Sequence, residues 1–129
     1  MTSAPAARAG ERLVAMKEEL ATSLTERLYA DMPALTDKYG ETGRVRCHED
    51  MRFTVEHLAP AVALSDPSLF SGYVRWLDEL LRARNVDTAE VVRTLELLEA
   101  LVAERLPADE ALLAVPCVRA GLAVLRPEA

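Results

Sequence analysis

Leucine, valine and methionine recur every three or four residues along most of this 129-residue chain, and that period leaves room for little but helix. The apolar positions Leu13, Met16, Leu20, Leu24, Leu28 and Met32 form one such stripe. Val91, Leu95, Leu98, Val102 and Leu106 form another, and Phe70, Tyr73, Val74, Leu77, Leu80 and Leu81 give a wide apolar face. A half-buried strand would need strict alternation, which no convincing segment offers. Half of the residues are apolar but only 5% are aromatic and five are glycine, so strong helix formers dominate. The expected class is all-α.

Punctuation divides this pattern into five main helices. The first is expected from Glu11 to Met32, ended by Pro33, with a possible extra turn over 34–39. The second runs from about Glu41 to Leu64 and should kink at Pro60. Asp66 caps a third helix that starts at Pro67 and ends near Arg84. The fourth follows a cap at Asp87 or Thr88 and stops before Pro107; the fifth covers about Asp109 to Leu125, with Leu112, Leu113, Val115, Val118, Leu122 and Leu125 inward. Residues 1–9 read as a flexible Ala/Ser/Pro tail and residues 10–129 as one domain. A domain of this length buries about two thirds of its unfolded surface, enough for its own core.

A net charge of −6 disfavours nonspecific association with nucleic acid or anionic membrane. No apolar run approaches the roughly 18 residues of a membrane-spanning helix. The start Met1-Thr2-Ser3-Ala4-Pro5 has no cationic and hydrophobic leader pattern, and Cys47 and Cys117 are expected as free thiols, so the expected location is cytoplasmic. No nucleophile elbow, Gly-rich phosphate loop, HExxH or paired CxxC occurs, and the expected activity is binding rather than catalysis.

Chemistry concentrates in Arg46-Cys47-His48-Glu49-Asp50 and the following Phe53-Thr54-Val55-Glu56-His57. At about 100° per residue, Cys47, Asp50, Thr54 and His57 fall on one stripe of a helix. The stripe rises about 15 Å from Cys47 to His57, so one metal ion cannot reach all three of Cys47, Asp50 and His57. Cys47 reads either as a reactive thiol, favoured by the helix start, Arg44 and Arg46 and opposed by Glu49 and Asp50, or as a small buried hydrophobe. His57 reads as a ligand contact or as a hydrogen-bonded helix residue. Phe70, Tyr73 and Trp76 either line a pocket or pack in the core. Glu96, Glu99 and Glu104 with Arg93 and Arg105 read as a solvated face, and Asp109-Glu110 as support for the last helix's N-terminus.

Over roughly residues 18–106 the chain resembles the phycobiliprotein branch of the globin superfamily. Cys47-His48-Glu49-Asp50 falls on that family's Cys-x-Arg-Asp, Ser65-Asp66-Pro67 on its turn, and Trp76-Leu77-Asp78-Glu79 on its Gly-Leu-x-Glu. The resemblance implies a globin-like bundle of five to six helices whose first globin helix is truncated or missing. It further implies a non-haem sensor-type module for a linear tetrapyrrole (bilin) or another hydrophobic, carboxylated ligand. Cys47 would anchor that ligand, Asp50 would accept its N–H bonds, Arg46 would meet a carboxylate, and Tyr73 and His57 would complete the site. Glu49 departs from the family's propionate-binding arginine. The alternative is a ligand-free interaction module in bacterial signalling, with a homodimer or a signalling protein as partner through the exposed part of the 67–106 surface.

Overall fold

The computed structural model describes residues 4–126. Six helices follow one another: α1 (Pro5–Ala15), α2 (Lys17–Asp31), α3 (Ala34–Ala63), α4 (Pro67–Ala83), α5 (Thr88–Arg105) and α6 (Ala108–Leu125). No strand occurs among the described residues, and no helix among them is long and apolar enough to cross a membrane. The architecture is all-α, as the periodicity requires.

α3 is the hub. α1 and α2 lie against it, α4 and α6 pack face to face, and α5 joins α6 on one side and α2 on the other. Leu13, Leu20, Leu24, Val55, Leu58, Phe70, Val74, Leu95, Leu98, Leu101 and Val118 are wholly buried between these helices. Gly121 lets α4 and α6 touch: a Cβ there would lie 2.9 Å from both Phe70 Cε2 and Val74 Cγ2.

Three features depart from the sequence reading. Helix α1 begins at Pro5, with Ala9 buried, so residues 4–9 belong to the packed structure; residues 1–3 of the expected tail lie outside the described residues, as do 127–129 of the expected domain. The helix expected over 11–32 is two helices meeting at Met16 (φ −99°, ψ 4°), which allows α1 to reach α6 while α2 reaches α5. The kink expected at Pro60 does not form, since Pro60 keeps helical dihedrals; the break inside α3 falls at Gly40 (φ 67°, ψ −168°), where the sequence places it. Pro60 lies on an exposed face, where water can serve the carbonyl it leaves unpaired.

In α6 the inward face is Glu110, Ala114, Cys117, Val118, Gly121 and Leu122, and Leu112 points outward at 76% exposure. Gly121 favours this rotation, because a side chain there would meet Phe70 and Val74 of α4. Glu110 joins that face because its carboxylate accepts from Arg12 Nε at 2.6 Å. It is therefore a buried ion-pair partner as well as an acidic residue in the first turn of its helix.

Candidate functional site

A half-enclosed cavity of about 280 Å³ lies between α2, α3, α4 and α5. Its apolar wall comes from Leu28, Leu35, Met51, Leu77, Val91 and Leu95. Polar groups reach it at a few points: Tyr39, Arg46, Cys47, Asp50, Thr54, Arg84, Glu90 and Thr94. An apolar volume with a small number of convergent polar groups is the ordinary form of a small-molecule site.

Local structure explains why these side chains meet. Gly40 takes a positive φ that a side-chain-bearing residue rarely adopts, turning the Ala34–Tyr39 segment so that Leu35 and Tyr39 join the cavity wall. The segment is held there by Glu90, whose carboxylate accepts from Tyr39 Oη at 3.0 Å and from Lys38 Nζ at 3.1 Å. The end of α4 is closed by a Schellman turn: Asn85 adopts φ 65°, Val86 N donates to Leu81 O at 2.9 Å, and Asn85 N donates to Arg82 O at 3.0 Å. That turn places Arg84 and Val86 beside the cavity. The end of α3 has the same form at Ser65, where Asp66 N donates to Ala61 O at 2.8 Å. Asp66 then caps α4 by accepting from Ser68 N.

The predicted stripe divides along its length. Cys47, Asp50 and Thr54 line the cavity together with Arg46, while His57 lies outside it. Relative to Cys47, His57 is the member furthest along the rise and furthest around the helix, by about 80°. His57 is exposed, hydrogen-bonded through Nδ1 to Phe53 O at 2.8 Å and stacked on Tyr73 with ring centroids 4.2 Å apart. Tyr73 does not line the cavity either. Its hydroxyl shares a 3.0 Å hydrogen bond with Thr54, so it stands one residue behind the wall and fixes the Thr54 rotamer. Of the aromatic trio, Phe70 is buried in the core and Trp76 is 56% exposed.

The electrostatics follow from burial. Cys47 is pushed up to about 11, first by burial and then by the neighbouring Asp50 charge, while a hydrogen bond with Thr25 and the cation of Arg44 act the other way. The thiol is therefore overwhelmingly neutral near pH 7. Burial also raises the Asp50 carboxyl; Arg84 opposes this, Glu49 adds to it, and Arg46 opposes it again. Tyr73 is pushed up to about 12 by burial. Arg44 lies over the Tyr29 ring at 4.7 Å and so braces the wall without facing the cavity.

Sequence reasoning missed Arg84, Glu90 and Tyr39. Glu90 and Thr94 stand one turn apart beside the Val91–Leu95 column, and a carboxylate at the edge of an apolar face was the available signal. Arg84 carried none, because its position depends on how α4 packs. Comparison with protein-family models, with curated proteins and with solved structures finds no match to this chain.

Proposed function

We propose that this protein is a non-enzymatic binding module whose cavity takes a small, largely apolar molecule carrying a carboxylate. The observation that carries this reading is the apolar cavity bordered by Arg46 and Arg84, neither of which forms an ion pair within 4.0 Å among the described residues. Cations left unpaired beside apolar surface in a chain of net charge −6 favour an anionic group at the rim.

The volume favours a compact ligand over a linear tetrapyrrole. At about 280 Å³ the cavity lies at the lower edge of the roughly 300–1,000 Å³ usual for ligand pockets, whereas four pyrrole rings with two propionates call for the upper part. Cys47 and Asp50 do share the cavity, which supports the phycobiliprotein-like form of the reading; the neutral Cys47 thiol and Glu49 oppose it. A titration of 3-phenylpropanoate and its neutral amide into 15N-labelled protein tests the reading. The expected outcome is carboxylate binding at about 1 mM or tighter, with amide-resonance shifts grouped at Leu28, Met51 and Leu95 and a weaker response to the amide. Equal response to both, or none, overturns it.

A second reading, an interaction module with a homodimer or a signalling partner, is favoured by Phe53 at 51% and Trp76 at 56% exposure on the adjacent helices α3 and α4. Sedimentation at micromolar concentration decides its homodimer form. A dimer that Trp76→Ser dissociates supports that form, and a monomer at all concentrations removes it.

A further inference from the structure

The cavity rim holds charges of both signs. Asp50 is half-buried in the wall, and its carboxylate makes no hydrogen bond or ion pair among the described residues. Arg46 and Arg84 border the same space, close enough to act on Asp50 electrostatically but not in contact with it. The other carboxylate in the wall, Glu90, is already satisfied by Lys38 and Tyr39. Likewise Arg82, two residues before Arg84, is tied to Asp78 at 3.1 Å.

A simple carboxylate would meet the two arginines but would bring its charge beside Asp50, and like charges in a partly desolvated site repel. A simple amine would meet Asp50 but face two guanidinium groups. A molecule carrying an ammonium next to a carboxylate meets all three groups at once, the carboxylate on the arginine side and the N–H donors on Asp50. Its remainder would occupy the volume between Leu28, Met51, Leu77, Val91 and Leu95. Between liquid-like and close packing, the cavity holds roughly 9–14 non-hydrogen atoms. Leucine and phenylalanine fall within that range.

We infer that the ligand is a zwitterion of the α-amino-acid class with an apolar side chain, read by Asp50 on its ammonium and by Arg46 and Arg84 on its carboxylate. This rests on the ligand-binding reading above and narrows it. The test is a calorimetric and NMR titration of the full chain with L-phenylalanine, 3-phenylpropanoate and 2-phenylethylamine, three probes that share a ring and differ only in charged groups. L-phenylalanine is expected to bind at least about tenfold more tightly than either single-charge analogue, in keeping with one added charge-assisted hydrogen bond. Asp50→Asn is expected to erase the advantage over 3-phenylpropanoate while leaving 3-phenylpropanoate binding unchanged or stronger.

Binding of 3-phenylpropanoate or 2-phenylethylamine as tightly as L-phenylalanine overturns the zwitterion assignment. If 3-phenylpropanoate is the one that binds, the carboxylate-binding reading stands. Absence of binding by all three at millimolar concentration removes both. The comparison among ligands uses the unaltered chain, so it decides the matter even if the Asp50 variant is unstable.

Discussion

The two halves of this core are made of the same aliphatic residues and are packed in opposite ways. Where α4 meets α6, Phe70 and Val74 press on Gly121 so closely that a methyl group would collide, and the interior is closed. Where α2, α3, α4 and α5 meet, Leu28, Leu35, Met51, Leu77, Val91 and Leu95 stand around about 280 Å³ of space. The difference lies in the backbone. On the closed side a small residue faces an aromatic ring, and close-packing maximises dispersion contacts. On the open side the turn at Gly40 and the ties from Glu90 to Lys38 and Tyr39 hold the Ala34–Tyr39 segment in place. Collapse of the cavity is resisted by polar contacts, and the unused packing energy is the cost of keeping the space open.

The sharpest way to break this contrast is to empty the closed side. Phe70→Ala is expected to cost about 3–5 kcal/mol, read from the midpoint of chemical denaturation, because the buried ring leaves a void that its close-packed neighbours cannot fill. Gly40→Ala is expected to cost about 1–3 kcal/mol by the same measurement, since φ 67° with ψ −168° is a conformation essentially reserved for glycine, although nothing lies within 4 Å of the added Cβ. A cost as large as that of Phe70→Ala would mean that the open side is as cooperative as the closed one.

Filling the open side should do the reverse. Val91→Leu, on the cavity wall, is expected to gain about 0.5–1 kcal/mol while weakening 3-phenylpropanoate binding. If it destabilises the fold instead, the space has no room for a methylene and the contrast fails.

The smallest effect is the pH dependence of the wall itself. Cys47 is raised from 9.0 to about 11 by burial, then by Asp50, so folding favours its neutral form. Its contribution to stability is fully present below the unfolded value and is lost as pH rises through the folded one. Denaturation midpoints should therefore be unaffected by Cys47 up to about pH 9 and fall between about 9 and 11. Cys47→Ala should flatten that part of the profile. Alkylation by iodoacetamide should be slow at pH 8 and speed up only toward pH 11. Rapid alkylation at pH 8 would show that the thiol is solvated and the wall open around it.

The helices were legible because helix formation is a local matter. The 3–4 spacing, Pro33, Pro67 and the Asp66 cap each act within one or two turns, and α4, α5 and α6 lie within a residue or two of where these signals place them, while the 11–32 stripe is split in two and the 34–39 turn joins α3. The stripe of Cys47, Asp50 and Thr54 was legible for the same reason, since one helix fixes which of its residues share a face. Met16 and Leu112 were misread, and the burial of Glu110 beyond its place in the first turn of α6 was not legible, because their surroundings come from distant segments. Met16 bends to serve two different neighbours, Leu112 yields the inward position to the face that holds Gly121, and Glu110 is buried by an arginine 98 positions earlier.

The sequence by itself determined the all-α class and grouped a thiol, a carboxylate and a hydroxyl on one helical face, since both follow from a period of 3.6 residues. Only the tertiary structure decided that this face borders a cavity, that His57 and Tyr73 stand outside it, and that Arg84 and Glu90 belong to it. Whether packed helices leave a space between them depends on side-chain volumes and turn conformations contributed by four elements at once, which no local pattern contains.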